Sequence, residues 1–169
     1  DAGSWIGDFA AYASVKGAVT YAFEPAGPTF EYLLKTAELN KNIYPVKKGL
    51  GDRKTSVAFH GQDCGMGNRI VSEPIDPTDQ VIETTTLDAF VEENGLERVD
   101  FIKSDIEGYE RHMLKGARET LRRFAPKLAI CTYHLPDDPE VLAALIKEAN
   151  PAYRIAQKSK KLFASVPEK

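Results

Sequence analysis

Two sets of residues in this chain have the types and spacing to do chemistry. Asp105 and Glu107 stand two apart in the stretch KSDIEG, and His134 closes the apolar run AICTYH. Carboxylates with an imidazole are the set that takes a proton from a hydroxyl. An ordinary Asp, with a pKa near ~3.9, is a poor base for an alcohol unless its pKa is raised or a metal helps, whereas an unperturbed His titrates near ~6.5. The second set opens the chain. DAGSWIG, Asp1 to Gly7, has the glycines of a turn after a strand, with Gly3 permitting close backbone approach and Gly7 close helix packing. Glu24 lies 21 residues after Gly3, near the position about 20 residues on where an acid binds a nucleoside ribose. Ribose presents two adjacent hydroxyl donors, and one carboxylate can accept from both.

The turn discriminates among nucleosides. A dinucleotide site carries G-x-G-x-x-G, whose middle glycine lets a pyrophosphate reach the helix N-terminus. Here Trp5 occupies that approach, and Asp1 places an acid beside the turn. An acid suits a cation better than a pyrophosphate. S-adenosylmethionine has no phosphate and carries an ammonium, a sulfonium and a ribose, so the pattern fits it better than NAD. The pair Tyr12–Lys16 has the Tyr-x-x-x-Lys spacing of some NAD-dependent oxidoreductases, but it lies in the first helix after the turn, away from where hydride transfer would need it.

The elements that must position these residues alternate. DFAAYASVK reads as a helix with Phe9, Tyr12 and Ala13 on one face, ended by Gly17. AVTYAFEP reads as a strand stopped by Pro25, and PTFEYLLKTAELN as a helix with Phe30, Leu33, Leu34 and Ala37 inward. NIYPVKKGL is a short strand. Residues 51–80 are punctuated by Gly and Pro and read as irregular strands or loop. Then come VIETTTL, a short helix LDAFVEEN, the buried strand VDFIKSDIEG, one helix over YERHMLKGARETLRRF, and the strand PKLAICTYH. DDPEVLAALIKEAN reads as a helix capped by Asp137 or Asp138, before a closing hairpin of YRIAQKS and KLFASV. The expectation is a doubly wound α/β domain: a mostly parallel, Rossmann-like sheet, helices on both faces and an antiparallel C-terminal hairpin. Residues 1–169 form a single domain, and the chain is expected to begin at the exit of a first strand whose upstream residues are missing.

Composition narrows the partners. With 169 residues, 43% hydrophobic content and a formal net charge of −3, the chain has material for a core and no basic footprint for nucleic acid or an anionic membrane. Cys64 and Cys131 show neither metal-ligand spacing nor a disulfide framework, and Cys131, inside KLAICTY, reads as a small buried hydrophobe. Nothing in the stretch given resembles a signal peptide or an apolar span of about 20 residues. A cytoplasmic location is expected, with the oligomeric state left open.

Three blocks carry a family resemblance: DAGSWIG, YAFEPAGPTFEYLLKTAELN and TLDAFVEENGLERVDFIKSDIEGYERHMLKGARETL. They are similar to the FkbM family of S-adenosylmethionine-dependent methyltransferases along nearly the whole chain, the K-x-D-x-E-G-x-E stretch before LKGA being the most specific. The resemblance implies the class I methyltransferase fold and, by position, cofactor binding by Asp1, Gly3, Gly7 and Glu24, with Asp105, Glu107 and Gly108 matching the family's second block; Ser4, Trp5, Pro25 and Asp105 are expected to complete the cofactor site. The family commonly has Ala-Asn where this chain has Ser4-Trp5.

The expected function is methyl transfer from S-adenosylmethionine to a hydroxyl of a small molecule or sugar. A non-catalytic cofactor-binding module and an NAD-dependent oxidoreductase are the alternatives. Methyl transfer is a displacement dominated by positioning, and the catalytic candidates are Asp105, His134 and Glu107. If KSDIEG is extended, Lys103, Asp105 and Glu107 point to one side. Tyr133 could hydrogen-bond substrate, and Asn68 or Arg69 could touch it. His112 is expected to be simply exposed, and His60 has no assigned place. Two carboxylates without a third ligand assign no metal site.

Overall fold

In a computed structural model describing residues 1–61, 68–71, 77 and 79–167, the chain divides into two units, Asp1–Gly49 with Thr55–Thr84, and Leu50–Lys54 with Thr85–Lys169.

The first unit opens with Ala2 in a parallel bridge to Phe23. Helix α1 (Asp8–Val15) follows, then β1 (Thr20–Phe23), α2 (Gly27–Glu38) and β2 (Ile43–Val46). β1 and β2 pair in parallel, from Thr20 opposite Ile43 to Phe23 opposite Val46. α1 turns Ala10 inward and leaves Tyr12 exposed, a correction to the expected Phe9–Tyr12–Ala13 face. Small side chains do the packing there, so the helix approaches its neighbours closely. α2 has Pro28 in its first turn, where the missing N–H costs nothing. It buries Phe30 and Leu33 against Ala10, Ala22 and Ile43, while Leu34, expected inward, is exposed. Burying side chains of this size stabilises by about 1.5–3 kcal/mol each.

Residues 51–80, read from sequence as irregular, contribute strands. β3 (Gly49–Leu50), β4 (Thr55–His60), β5 (Arg69–Val71) and β6 (Gln80–Thr85) form a sheet in the order β3-β6-β4-β5, with β4 antiparallel to both neighbours. Ala26, Phe59 and Ile82 form its core, with Val57 and Ile70 packed against them. Cys64 lies outside the described residues.

The second unit carries α3 (Leu87–Glu93), β7 (Phe101–Ser104), α4 (Glu110–Lys115), α5 (Arg118–Phe124), β8 (Lys127–Cys131), α6 (Asp138–Ala149), β9 (Arg154–Lys158) and β10 (Lys161–Ser165). β7 and β8 pair in parallel, and the expected antiparallel hairpin β9–β10 joins the same sheet by pairing β10 with β8. Helices α4 and α5 pack on α6, burying Met113, Leu114, Leu121, Leu142 and Ile146. The single helix expected over 109–124 is broken. A Cβ on Gly116 would stand 2.0 Å from the Gly51 carbonyl oxygen, so the chain passes where only glycine fits. The new helix start is capped from a distance: the Asp88 carboxylate accepts the backbone N–H groups of Glu119 and Thr120 and the Thr120 hydroxyl. No described helix is long and apolar enough to cross a membrane.

Candidate functional site

The first candidate region lies wholly in the first unit. The segment before α1 is tied to the end of β1: Phe23 donates its N–H to the Asp1 carbonyl at 2.9 Å, and the Gly3 and Ser4 N–H groups share the Phe23 carbonyl at 3.1 and 3.0 Å. The turn then closes through the Gly7 N–H on the Ser4 carbonyl at 2.7 Å. Gly7 has φ +88°, and a Cβ there would meet Leu33 Cδ1 at 2.8 Å and Thr36 Cγ2 at 3.1 Å. Close helix packing is thus its role, with α2 as the partner. Thr36 adds a 2.6 Å hydrogen bond from its hydroxyl to the Ile6 carbonyl.

Glu24, directly after β1, is buried. Its Oε2 accepts the Trp5 N–H at 3.1 Å and its Oε1 accepts the Ala26 N–H at 2.9 Å. Two backbone donors therefore hold the carboxylate in one orientation beside the turn. A carboxylate has room for about four accepted hydrogen bonds, so a group fixed in this way suits the paired hydroxyls of a ribose. Pro25 follows it, half-buried. Ser4 is fully buried, and its Oγ has no hydrogen-bond partner among the described residues. Trp5 is 41% exposed and holds φ 51°, a left-handed backbone. A bulky residue there is an outlier, whereas Asn tolerates it well. The donor set fits S-adenosylmethionine: an anchored carboxylate for the ribose, and no glycine cradle for a pyrophosphate.

The second region lies wholly in the second unit. Because β7 and β8 run in parallel, with Ser104 opposite Ile130, their carboxyl ends emerge at the same edge. Asp105 leaves β7 there, and His134 follows β8. Beyond Asp105 the chain is not extended as the one-sided placement of Lys103, Asp105 and Glu107 requires. It enters a turn with Glu107 at φ 55° and Gly108 at φ 96°. The turn, and not strand alternation, brings the carboxylates to His134. Nε2 of the ring lies 3.4 Å from Asp105 Oδ1 and 3.4 Å from Glu107 Oε2, and Nδ1 lies 3.3 Å from Glu110 Oε1.

Glu110 has no role assigned from the sequence. It is fully buried, and its carboxylate accepts the Ile106 N–H at 2.8 Å and the Gly108 N–H at 3.0 Å, pinning the turn. The second Glu of E-G-x-E was the available signal, since an acid at a helix start readily reaches back to the preceding amides. Tyr133 donates its hydroxyl to Asp105 Oδ1 at 2.9 Å, and its ring centre is 4.1 Å from that of His134. Lys160 Nζ stands 5.5 Å from the same tyrosine ring.

The electrostatics follow. Burial on its own would lower the His134 pKa, but Glu110, Glu107 and Asp105 together outweigh it and leave the ring above its ordinary value. Desolvation, reinforced by the hydrogen bond to Asp105, raises the Tyr133 hydroxyl. Burial, with the Asp105 charge adding to it, pushes the Cys131 thiol up to about 12, so Cys131 is the inert core residue expected.

Other expected residues go elsewhere. His112, expected to be exposed, keeps 39% of its side chain exposed and is also paired: Nδ1 sits 3.0 Å from Asp52 Oδ2 and its ring stacks on Tyr109 at 4.2 Å. His60 pairs with Asp79 at 2.7 Å on the first unit's antiparallel sheet, where Arg69 stands opposite it in β5.

Comparison with known proteins extends this geometry. The family model described as the methyltransferase FkbM domain matches residues 1–155. Hexuronic acid methyltransferase AglP of Haloferax volcanii is 30% identical over 151 residues, covering 88% of this chain, which spans 61% of that protein's length. The crystal structure of methyltransferase FkbM from Methylobacillus flagellatus KT superposes with a TM-score of 0.74 at 24% identity, over 98% of this chain and 42% of that one. A chain of the fibrillarin/Nop5p complex matches with a TM-score of 0.51 at 16% identity, over 96% of this chain and 68% of that one. These likenesses establish the α/β fold of class I methyltransferases.

Proposed function

The chain belongs to the FkbM methyltransferase domain family, and from that premise we propose that it transfers a methyl group from S-adenosylmethionine to a hydroxyl of a small molecule, most specifically a sugar. The observation that carries the cofactor assignment is Glu24, a buried carboxylate fixed by the Trp5 and Ala26 amides beside a glycine turn. When bound, S-adenosylmethionine supplies a methyl group made electrophilic by the positive sulfur that carries it. Glu24 accepts from the ribose hydroxyls, while Asp1, Gly3, Ser4, Trp5, Gly7 and Pro25 shape the turn around the nucleoside.

An acceptor hydroxyl must lose its proton as its oxygen bonds to the methyl carbon, and that proton has to go to a group on the protein or to water. Asp105, Glu107 and His134 are the groups assigned to this task. His134 Nε2 lies 3.4 Å from an oxygen of each carboxylate, which gathers two acceptors and a ring nitrogen at one strand edge, and Tyr133 beside them offers an aromatic face to a sugar. The hexuronic acid named for the Haloferax relative supports a sugar acceptor. A cytoplasmic location completes the proposal, supported by Cys131 as a buried free thiol.

The test is transfer of an isotopically labelled methyl group from S-adenosylmethionine to a panel of hexuronic acids, neutral sugars and amino sugars, read by mass spectrometry. Label on a sugar oxygen is expected. Label on nitrogen alone, or cofactor binding with no transfer to any sugar, would refute the proposal.

A further inference from the structure

Among the described residues of the second unit, His134 has two buried polar atoms left unsatisfied. Its side chain is only 7% exposed, yet neither ring nitrogen has a hydrogen-bond partner among the described residues. Three carboxylates surround it at 3.3–3.4 Å. Were the ring a plain imidazolium partner for them, charge-assisted hydrogen bonds of about 2.7–2.9 Å would be expected. The distances here are longer and the lines off-axis. The carboxylate oxygens stand around Nε2 without bonding to it, as ligands stand around a point that none of them occupies.

The spacing matches such a point. Protein oxygen and nitrogen ligands lie about 2.1 Å from a zinc-sized ion, so neighbouring corners of a tetrahedron of ligands are about 3.4 Å apart. Nε2 to Asp105 Oδ1 and Nε2 to Glu107 Oε2 are both 3.4 Å, and the three ligand atoms all lie within 4.8 Å of one another. We propose that Asp105, Glu107 and His134 form a divalent-cation site, with Nε2 and one oxygen from each carboxylate as ligands.

The surroundings separate ligands from supports. A metal-bound histidine ordinarily directs its other N–H at a carboxylate, which fixes the tautomer. Here Nδ1 faces Glu110 Oε1 at 3.3 Å, and Glu110 is itself held by the Ile106 and Gly108 amides. Glu110 is therefore a positioning residue. Asp138 also lies near His134, but its Oδ1 is engaged by Arg111 at 3.0 Å and its Oδ2 by the Leu135 N–H at 2.8 Å. A second ion on that side would have to displace an arginine. Asp105 Oδ1 accepts the neutral Tyr133 hydroxyl at 2.9 Å, a contact that an oxygen ligand keeps on its second lone pair, and Asp105 and Glu107 are about one-third exposed, which leaves an entry path.

Two carboxylates and one imidazole suit Mn²⁺ and its neighbours better than Ca²⁺, which prefers oxygen alone, or a thiolate metal. Three protein ligands leave coordination positions open. A hydroxyl bound there would release its proton more readily, to water or to the oxygen of Asp105 or Glu107 that does not ligate the ion, with the ion holding the resulting oxygen's charge. That consequence rests on the proposed methyl transfer. Binding of the ion does not.

The experiment is titration of the purified protein with Mn²⁺ alone, without S-adenosylmethionine, read by electron paramagnetic resonance of the free ion. One bound equivalent is expected, weakened at least tenfold in Asp105→Asn, in Glu107→Gln and in His134→Gln. The exposed Asp137→Asn is expected to bind like the parent, and circular dichroism confirms that each variant is folded. No Mn²⁺ bound up to about 1 mM, or equal binding by the three variants, would overturn the site. Methyl transfer unchanged in excess EDTA, with no Mn²⁺ bound, would remove the cation and leave the methyltransferase standing. Mn²⁺ binding with no transfer would do the reverse.

Discussion

Glu24 in the first unit and Glu107 in the second are both carboxylates just beyond the end of a parallel strand, and they are held in opposite ways. Glu24 is buried and locked by two backbone amides. Glu107 is one-third exposed and looks at a buried imidazole that it does not hydrogen-bond. The first arrangement is finished before any ligand arrives, as binding without reorganisation requires. The second is incomplete, with like charges gathered around one ring, and it needs a proton or an ion to balance them. Within the second unit the same contrast recurs between Glu110, finished, and its neighbours Asp105 and Glu107.

Substitutions can break that comparison, and the largest effect should come from a finished carboxylate. Glu110→Ala would leave the buried Ile106 and Gly108 amides without their acceptor, costing about 2–4 kcal/mol in urea unfolding. Glu107→Gln, by contrast, should cost less than about 1 kcal/mol while sharply weakening Mn²⁺. Equal losses of stability would erase the distinction. Next is Gly7→Ala, which meets both the left-handed φ and Leu33 at 2.8 Å. A loss of about 1–3 kcal/mol is expected by thermal melting, with weaker cofactor binding because the turn must shift.

Trp5→Asn sharpens the picture in the other direction. Its φ of 51° strains a bulky residue, so the substitution should stabilise by about 0.5–1 kcal/mol, and no gain would mean that Trp5 packing offsets the strain. The smallest effect belongs to Asp52→Asn, which removes a partly exposed pair with His112 and should cost under about 1 kcal/mol near neutrality. Burial would raise the Asp52 carboxyl, but hydrogen bonding to His112 and Arg53 outweighs it and holds the group below its ordinary value. Its contribution is therefore present above the ordinary carboxylate range and fades as pH falls through it. Parent and variant melting curves should converge in acid.

The two regions also differed in how readable they were from sequence. Gly7, Glu24 and the strand that ends beside them follow local rules of turn spacing and strand composition, and the structure places them accordingly. The convergence of Asp105, Glu107 and His134 depends on a left-handed turn at Glu107 and on the parallel pairing of β7 with β8. Strand alternation puts Asp105 and Glu107 on one side, but it is the turn that brings both to His134. The need for glycine at position 116 is not legible locally, because the Gly51 carbonyl that leaves no room for a side chain is 65 residues away in the chain. Of the antiparallel sheet, β6 is legible as the regular stretch VIETTTL, whereas β4 and β5 read only as irregular strands or loop, because short strands between Gly and Pro carry little periodicity. The pairing of His112 with Asp52 is equally beyond local sequence, since the two lie 60 residues apart.

The central claim is that the glycine turn with Glu24 binds S-adenosylmethionine and no dinucleotide, and calorimetric titration tests it most directly. S-adenosylmethionine and NAD would be titrated separately into the parent protein and into Glu24→Gln, which keeps one acceptor for the amides. Saturable binding of S-adenosylmethionine alone, at least tenfold weaker in Glu24→Gln, is the expected result. Binding of NAD, of neither ligand, or of S-adenosylmethionine equally in both proteins would contradict it.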